Sequence, residues 1–531
     1  MKLGIDFGTT RIVVARVDRG NYPLVTFETP QGERCDWFPP LVAVRGGARV
    51  FGWDAWSAQQ EDGWTIIRSL KRYLEDAGPE TRVEMADHSM PMLDLLTEMT
   101  VSLRQALREE SSAEIGAGEP LEVMLGVPAN ANGNQRFLTV EAFRRGGFEV
   151  LGLLNEPSAA SIEFAHYNRA KLPARGQGSI LVYDLGGGTF DASLVSTSER
   201  THSVVASEGI PTLGGDDFDS VLAELAMDAA GLSHSERDSL NQGEWFRLHE
   251  ECRQKKEALH PNTRRITIDL AWVRPEWEPV AIPISAFYDR CEPLVAETVN
   301  VVNDLLSAHG QNPDAVYVTG GGSELPLVPR ALREVFGRKT RRSTYTHSAT
   351  AIGLAIQSDE QAGYVLRETF TRYFGVWREA DGGHTIVFDP LFDKGTPLPG
   401  PKQPPLQVAR SYHPVHNVGH FRYLECSHRG ENGQPLGDIT GWDDILFPFD
   451  PALRNRADLK QVGISHCERA RSEKVRESYR CDSGGSVTVT ISNESAGYER
   501  SYRLGRWSVD SAPVVPGKEA RPRARKRAPR R

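Results

Sequence analysis

The sequence has no apolar run long enough to cross a bilayer, and it has few cysteines. A membrane helix needs roughly 20 mostly apolar residues, and no stretch of this chain approaches that length. The first residues enter a strand-like pattern directly, without the regions of a secretory signal. The six cysteines are scattered, which favours free thiols in a reducing cytosol over a disulfide framework. We therefore expect a soluble, cytoplasmic protein.

Positive charge is scarce in the body of the chain and concentrated at its C-terminal end. The net charge is −9, but residues 518–531 hold eight Lys or Arg against one Glu. Subtracting that +7 leaves −16 on residues 1–517. An acidic body argues against a nucleic-acid-binding core. Residues 508–531 are predicted to be a disordered tail, either solubilising or in weak electrostatic contact with nucleic acid, anionic lipid or an acidic partner.

Two distant segments share one pattern. Residues 3–17 and 180–195 each read apolar strand, aspartate, glycine-rich turn, threonine and second apolar strand, with Asp6 and Asp184 in equivalent places. This pattern predicts two β-hairpins. The three glycines at 186–188 cost a strand about 0.5–1 kcal/mol each relative to alanine. Something must therefore approach the backbone closely at that turn.

Two further features recur in the same order. Strands that end near Gly126 and Gly320 are each followed by an alanine-rich helical stretch, at residues 155–165 and 347–357. Small residues on both stretches would let two helix backbones pack closely. Three repeated features at nearly one spacing, about one domain length, predict two copies of one α/β unit that face each other across a cleft.

The opposed glycine turns have the chemistry of a polyphosphate site. Bare backbone N–H groups form anion-binding concavities, and Thr9, Thr10 and Thr189 add hydroxyl donors. Asp6 and Asp184 are anionic, so they would hold a cation instead. Mg²⁺ between carboxylates, waters and phosphates is the usual arrangement.

Seven motifs in the chain resemble those of the seventy-kilodalton heat-shock chaperones, within the actin–hexokinase ATPase superfamily. The resemblance covers residues 1–357 and includes shorter, divergent members such as the YegD type. It implies an actin-like α/β ATPase domain (a duplicated ribonuclease-H-like fold) over residues 1–360. Lobe I would be residues 1–168 plus 343–360, and lobe II residues 169–342. The motifs are GIDFGTT, VPANANGNQR, NEPSAASI, DLGGGTFDASL, TLGGDDFD, TGGGSELP and SATAIGLA.

The resemblance also implies roles at matching positions. Asp6 and Asp184 would position Mg²⁺, largely through water. Lys71 would contact the γ-phosphate or the attacking water, and hydrolysis, expected to be slow, would rest on positioning and charge stabilisation. The implied catalytic residues are Lys71, Glu156, Asp184, Thr189 and Asp191. The implied nucleotide-binding residues are Gly8, Thr9, Thr10, Gly186, Gly187, Gly188, Thr189, Gly214, Gly215, Lys256, Gly320, Gly321 and Gly322.

The adenosine side departs from the family pattern. Lys256 is retained in RQKKEALH, but Arg253, Glu257 and His260 stand where the family has glutamate, a basic residue and serine. Glu324 replaces the arginine that stacks on adenine in the family. The cation–π interaction of that arginine, worth about 0.5–2 kcal/mol, is therefore lost. The sequence therefore predicts weaker nucleotide affinity and leaves the hold on adenine in doubt.

The C-terminal region changes character. Residues 361–368 occupy the position of the family's linker but lack its acidic–leucine sequence, which makes allosteric coupling doubtful. In residues 369–507, short alternating runs lie between Gly, Pro and Asp turns, which predicts a β-sandwich. It resembles the family's substrate-binding β-domain without a helical lid, so peptides should dissociate faster. Pro128 and Arg136 match the family's relay between lobe closure and that domain.

Two smaller clusters have competing interpretations. A zinc site is one interpretation of the first, although its spacing matches no common site; its members are Cys426, His428, His466, Cys467 and Cys481. An aromatic cluster of Trp53, Trp56 and Trp64 is either core packing or a partner surface.

The sequence as a whole predicts a chaperone that hydrolyses ATP with Mg²⁺ and couples its nucleotide state to polypeptide binding. Its partners would be unfolded or client polypeptides, with a J-domain cochaperone and a nucleotide exchange factor. Two alternatives remain open. One is a nucleotide-sensing scaffold with little or no hydrolysis. The other is a small-molecule kinase of the same superfamily, although nothing marks an aspartate base facing a sugar pocket.

Overall fold

The computed structural model describes residues 1–61, 63–74, 76–78, 81–85, 88–168, 178–380, 385–400, 403–483 and 485–504. The predicted basic tail at 508–531 lies outside the described residues. No helix in the described ranges is long and apolar enough to span a membrane.

The chain is mixed α/β up to about residue 370 and mostly β beyond it. The helices are α1 (Gly52–Ala58), α2 (Leu70–Tyr73), α3 (Met92–Glu109), α4 (Gly133–Arg145), α5 (Glu156–Asn168), α6 (Gly215–Ala229), α7 (His234–Asp238), α8 (Gln242–Glu257), α9 (Ile284–Ala308), α10 (Leu327–Phe336), α11 (Ala349–Ser358) and α12 (Glu468–Arg471). The strands are β1 (Lys2–Phe7), β2 (Ile12–Arg16), β3 (Phe27–Glu28), β4 (Arg34–Cys35), β5 (Val42–Arg45), β6 (Ala48–Phe51), β7 (Thr65–Ile67), β8 (Arg82–Met85), β9 (His88–Pro91), β10 (Glu122–Val127), β11 (Glu149–Asn155), β12 (Gly178–Leu185), β13 (Phe190–Ser198), β14 (Thr201–Ile210), β15 (Arg265–Ile268), β16 (Val280–Pro283), β17 (Ala315–Thr319), β18 (Thr340–Arg342), β19 (Val365–Arg367), β20 (Tyr373–Ala380), β21 (Thr385–Phe392), β22 (Leu406–Tyr412), β23 (Val418–Arg429), β24 (Pro435–Pro448), β25 (Val475–Cys481), β26 (Val487–Asn493) and β27 (Tyr498–Arg503).

The first sheet is built on the N-terminal hairpin. β1 pairs antiparallel with β2 and parallel with β10, and β10 pairs parallel with β11. Leu3, Ile5 and Phe7 alternate along β1, as one face of a strand requires. They are buried in the same core cluster as Leu96 and Met99 of α3. This core fixes the end of β1, where Asp6 lies.

The second sheet repeats the order and directions of the first. β12 pairs antiparallel with β13 and parallel with β17, and β17 pairs parallel with β18. β14 and β19 extend this sheet on the β13 side. The predicted hairpins are therefore confirmed, and the two sheets share one strand arrangement.

The two alanine-rich stretches form α5 and α11, and these helices pack against each other. A Cβ added to Gly353 of α11 would lie 1.9 Å from the carbonyl oxygen of Ala159 in α5. A Cβ added to Gly4 of β1 would lie 2.3 Å from the carbonyl oxygen of Ala351. The predicted close helix packing is confirmed, and it draws the ends of β1 and β12 toward one another.

The C-terminal part is a β-sandwich. One sheet has the order β21-β20-β23-β24 and the other β22-β25-β26-β27. Side chains from both sheets share one core, among them Phe374 and Phe447 of the first sheet and Tyr479 and Ile491 of the second. Buried and half-buried residues alternate along β26, as the predicted strand period of two requires.

Candidate functional site

The two glycine turns lie against each other. Both are closed in the same way: Gly8 N–H donates to the Arg11 carbonyl at 3.0 Å, and Gly186 N–H to the Thr189 carbonyl at 2.9 Å. A Cβ at Gly188 would lie 2.6 Å from Thr9 Oγ1. A Cβ at Gly187 would come as close to Thr10, at 2.8 Å from its Cγ2. The glycines of the second turn are therefore needed first for the close approach of the first turn.

Two more glycine pairs complete the walls of this cleft. Gly215 N–H donates to the Gly186 carbonyl at 2.9 Å, and a Cβ at Gly214 would lie 2.6 Å from the Gly187 carbonyl oxygen. Lys256 Nζ donates to the Gly215 carbonyl at 2.7 Å and lies 2.7 Å from an Asp219 carboxylate oxygen. The N-terminus of α6 thus faces the cleft with a buried cation beside it.

Residues 319–322, the TGGG segment, form the opposite wall of the cleft. Gly320 has φ +83°, in the left-handed region that favours glycine, and a Cβ there would lie 2.4 Å from Asp184 Oδ1. A Cβ at Gly322 would lie 2.7 Å from the Gly186 carbonyl oxygen. Gly321 also lines the cleft. The bare backbone here leaves room for the carboxylate at the end of β12.

Four carboxylates surround one lysine at the floor of the cleft. Lys71 Nζ is ion-paired with Glu156, and both side chains are buried. Burial and the Glu156 charge raise the pKa of Asp6 to about 7. The same causes raise the pKa of Asp191 to about 7 and that of Asp184 well above its usual value. Burial alone would lower the pKa of Lys71, but Glu156 and Asp6 raise it.

This donor set fits a hard divalent cation. The carboxylates of Asp6, Glu156, Asp184 and Asp191 repel one another, and Lys71 compensates only one of these charges. Mg²⁺ prefers oxygen ligands and keeps several waters. In the part of the chain that the structure describes, no three His, Cys, Asp or Glu side chains are arranged to hold an ion directly. A magnesium ion would therefore be held through waters and phosphate oxygens.

The match to known families agrees with this geometry. The family model described as Hsp70 protein matches residues 2–370. The chain belongs to the Hsp70 family.

Relatives of this Hsp70 chain are named chaperones. The Chaperone protein HscA homolog of Chromobacterium violaceum is 31% identical over 536 residues, covering 95% of this chain and 78% of the relative. HscA of Pectobacterium carotovorum is 30% identical with the same coverage. The HscA homolog of Pseudomonas fluorescens is 27% identical over 95% of this chain and 77% of its own length. This homology supports a chaperone with ATP binding, of a family of ATPases.

Three of the four sequence departures of this Hsp70 chain, Arg253, Glu257 and Glu324, meet in one ionic network at the mouth of the cleft. Arg11 donates to Glu257 Oε2 and lies against His347 Nδ1, both at 2.7 Å. His347 Nε2 lies 3.0 Å from Glu324 Oε2, and Arg253 donates to Glu257 Oε1 at 2.9 Å. The His347 contact and burial, which oppose each other, leave the pKa of Glu324 at about 2.

His260 takes no part in these contacts. It is exposed, and its backbone N–H donates to Thr263 Oγ1 at 3.0 Å. The three other departures, Arg253, Glu257 and Glu324, are thus held by charge partners, whereas the backbone of His260 is capped by the Thr263 side chain.

The cleft itself is narrow. Its volume is about 90 Å³, against roughly 300–1,000 Å³ for typical ligand pockets. Predicted residues line it from strands and helices alike: Asp6 and Asp184 from β1 and β12, and Lys71 and Glu156 from α2 and α5. A nucleotide would enter only after the cleft widens.

A second set of ion pairs holds the cleft together, and the sequence did not predict it. Arg68 donates to Asp216 Oδ1 at 2.9 Å, and Ser69 donates to Asp216 Oδ2 at 2.6 Å. Arg72 donates to Asp217 Oδ2 at 2.6 Å and to the Gly188 carbonyl at 3.1 Å. Both acids lie in the TLGGDDFD motif, so the signal was present, but their partners lie about 145 residues earlier.

The relay positions connect the cleft to the segment after α11. Ala129 N–H, next to Pro128, donates to Asp191 Oδ1 at 3.0 Å. Arg136 donates to Asn155 Oδ1 at 2.6 Å, and Asn155 N–H donates to Glu368 Oε1 at 2.8 Å. Sequence reasoning missed Asn155 and Glu368 in this role, although Asn155 directly precedes Glu156.

The smaller clusters differ from their sequence interpretations in detail. Trp53 and Trp56 contact Trp37, with ring centroids 4.8 and 5.8 Å apart, and Trp53 lies in the core. Trp64 makes a different contact, with the Arg45 guanidinium 4.5 Å over its ring. Trp56 and Trp64 both pack against a neighbouring buried cluster that includes Phe246, so core packing is confirmed for the predicted cluster, and Trp37 was missed.

The cysteines considered for zinc are separated by the fold. Cys426 belongs to a small cluster on the β20–β23 side, whereas Cys481 lies in the sandwich core. His466 stacks on His416 at 4.7 Å between centroids. All six cysteines are free thiols.

Proposed function

We propose that this protein is a slow Mg²⁺-dependent ATPase that couples its nucleotide state to polypeptide binding. One observation carries the proposal: two duplicated glycine turns face each other, with Lys71 among Asp6, Glu156, Asp184 and Asp191 at their base. Glycine backbone N–H groups suit phosphate, and the carboxylates suit a hydrated Mg²⁺. This pairing matches what phosphoryl transfer to water requires.

The proposed roles follow the positions of the side chains. Gly8, Thr9 and Thr10 of the first turn and residues 186–189 of the second would hold the β- and γ-phosphates. Asp6 and Asp184 would hold the waters of Mg²⁺. Bound Mg²⁺ neutralises charge that develops on the phosphates.

Lys71 and its carboxylate neighbours would act on the water that attacks the γ-phosphate. Glu156 holds Lys71 in place through the buried ion pair. Asp191 is oriented by the Ala129 N–H group and would help to order the water. Such positioning lowers the barrier without a covalent intermediate.

We propose two lobes that open to admit nucleotide. Lobe I would comprise residues 1–168 plus 343–360, and lobe II residues 169–342. The narrow cleft and the ion pairs that cross it support a resting state in which the lobes are closed. Gly214, Gly215, Lys256 and residues 320–322 would then line the nucleoside side, with adenine held weakly because Glu324 is an anion.

Contacts between the two parts of the chain support coupling. β19, within the predicted linker at 361–368, pairs parallel with β14. Gly133 N–H donates to Glu425 Oε1 of the sandwich at 2.7 Å, and Lys394 pairs with Glu208 at 2.7 Å. Movement in the cleft would reach the sandwich through these contacts.

The β-sandwich, residues 369–507, would bind client polypeptides. A J-domain cochaperone and an exchange factor are the proposed partners, as the resemblance to the heat-shock chaperones implies. Contacts of the tail at 508–531 lie outside the described residues and form no part of the proposal.

A nucleotide-sensing scaffold is the second candidate. The ionic network of Arg11, Glu257, His347 and Glu324 favours it, since these side chains occupy the mouth where the nucleoside would enter. Such a protein would bind nucleotide but hydrolyse little.

Single-turnover hydrolysis with Mg·ATP separates the two candidates. The wild type should release phosphate, and Lys71→Ala should be slower by about 10²–10⁴-fold, the range for removing a proton-transfer or positioning group. Lys474→Ala, which changes an exposed lysine in the sandwich, is the matched control and should keep the wild-type rate. Equal rates for wild type and Lys71→Ala would favour the scaffold.

A further inference from the structure

A cavity distinct from the nucleotide cleft lies between α4 and the β-sandwich. It encloses about 260 Å³, somewhat below the usual size of pockets for drug-sized ligands. Its walls come from both parts of the chain, with α4 and β11 on one side and β20, β23 and β24 on the other. A ligand here would touch both parts at once.

Two buried donors in this cavity have no acceptor. Arg372 is 6% exposed, and its Nε, like Trp442 Nε1, forms no hydrogen bond within the described ranges. Other contacts hold both side chains in place: Arg372 donates from Nη2 to the Asp438 carbonyl at 2.8 Å, and the Trp442 ring lies 4.5 Å from that of Phe374. A buried donor without an acceptor destabilises the folded state.

The nearest carboxylate does not satisfy these donors. Glu425 Oε2 lies 4.0 Å from Arg372 Nε, beyond hydrogen-bond reach. Glu425 Oε1 already accepts the Gly133 N–H at 2.7 Å. Trp442 itself lies against Gly133, where a Cβ would come within 2.6 Å of its Cζ2. Arg372 and Trp442 therefore both adjoin the contact between Gly133 and Glu425 at one corner of the cavity.

The charge of the lining favours an anion. Four arginines line the cavity, against the two carboxylates of Glu425 and Asp482. The Asp482 carboxylate accepts the Ser486 N–H at 2.9 Å. The arginines are Arg136, Arg144, Arg372 and Arg503.

The remaining walls are apolar. Phe137, Val140 and Leu151 line the α/β side, and Phe370 and Phe374 line the sandwich side. A ligand that matches this lining has an apolar, ring-sized body and one anionic group.

We propose that this cavity binds a small aromatic carboxylate, whose oxygens accept from Arg372 Nε and Trp442 Nε1 while its ring packs on the apolar walls. Charge-assisted hydrogen bonds to a carboxylate are stronger than neutral ones. A buried water is the competing occupant, since it too could satisfy two donors. Water cannot use the apolar walls or the excess of positive charge.

The test uses 1-naphthoate as the probe and 1-naphthamide as its neutral counterpart, titrated calorimetrically into the full-length protein. We expect 1-naphthoate to bind with a Kd below about 1 mM and 1-naphthamide about tenfold more weakly. Trp442→Phe removes the indole donor and should weaken the binding of 1-naphthoate by about fivefold. Trp272→Phe, a half-exposed tryptophan outside the cavity, should bind like the wild type.

Each other outcome overturns the proposal. Absence of 1-naphthoate binding would indicate that water alone fills the corner, and equal affinity for acid and amide would remove the anionic requirement. Unchanged binding by Trp442→Phe would place the probe elsewhere. If Trp442→Phe does not fold, Arg144→Gln at the exposed rim of the cavity replaces it. This variant should bind 1-naphthoate about twofold more weakly than the wild type. An unchanged affinity would count against the site.

Discussion

Arg11 and Glu257 join the two sides of the cleft directly, although 246 residues separate them in the chain. Arg11 donates from Nη2 to Glu257 Oε2 at 2.7 Å, and the two side chains are 17% and 35% exposed. Exposed pairs of this kind contribute only about 0–1 kcal/mol. A contact of this strength would bias the cleft toward closure and would still break if the cleft opened.

Removing the charge of Glu257 should speed nucleotide exchange. Glu257→Gln should raise both the association and the dissociation rate of a fluorescent ATP analogue about twofold to fivefold, because the closed state loses one ion pair. Stopped-flow fluorescence measures both rates. Arg49→Gln, which breaks the surface pair with Glu98, should change neither. Identical rates for Glu257→Gln and wild type would show that the pair does not gate entry.

Glu368 should be needed for coupling and not for hydrolysis itself. Glu368→Ala removes the acceptor of the Asn155 N–H, so stimulation of ATP hydrolysis by a bound peptide should fall, by about fivefold for one hydrogen bond. Basal hydrolysis should be unchanged. Glu368→Gln keeps an acceptor oxygen and should retain most of the stimulation, and the exposed Glu360→Ala is the neutral control. Full stimulation in Glu368→Ala would contradict the proposed route.

Buried Glu163 should make stability depend on pH. Burial raises its pKa from the usual 4.5 to about 7, and it accepts a hydrogen bond from Tyr317. The folded state therefore holds a proton that the unfolded chain loses. The contribution of Glu163 to the free energy of unfolding should be highest below pH 4.5. It should fall by about 3 kcal/mol as the pH rises to about 7.

Thermal unfolding followed between pH 5 and 8 checks this effect. Glu163→Gln should flatten the fall in melting temperature, because a neutral amide does not titrate. The surface variant Glu141→Gln, whose wild-type residue pairs with Arg145, should keep the wild-type slope. An unchanged slope in Glu163→Gln would assign the pH dependence to other groups.

Gly353 should tolerate no side chain. A methyl group there would meet the Ala159 carbonyl at 1.9 Å, so Gly353→Ala should force α5 and α11 apart. Overpacking costs about 1–3 kcal/mol, which differential scanning calorimetry would record as a lower melting temperature. Gly463→Ala, where no atom lies within 4 Å, is the control. Equal melting temperatures would mean that the helices separate without cost.

Local patterns were sufficient to predict the parts of the site that repeat. The hairpins that carry Asp6 and Asp184 follow from alternation and glycine turns, and the α5–α11 contact follows from small residues. The partners of Arg11 could not be predicted, because an ion pair between residues 246 positions apart has no local signal. β19 was equally hidden, since a three-residue strand takes its hydrogen bonds from the edge of β14 and not from its own pattern.

Calorimetric titration of ATP into the protein, with Mg²⁺ and with chelator, tests the central claim most directly. We predict that ATP binds at one site and that binding requires Mg²⁺. The affinity should be weaker than that of a standard chaperone, because Glu324 cannot stack on adenine. Binding should be lost in Asp184→Asn, which removes a carboxylate at the end of β12. Binding that is unaffected by both chelator and Asp184→Asn, or no binding at millimolar ATP, would contradict a magnesium–triphosphate site between the two turns.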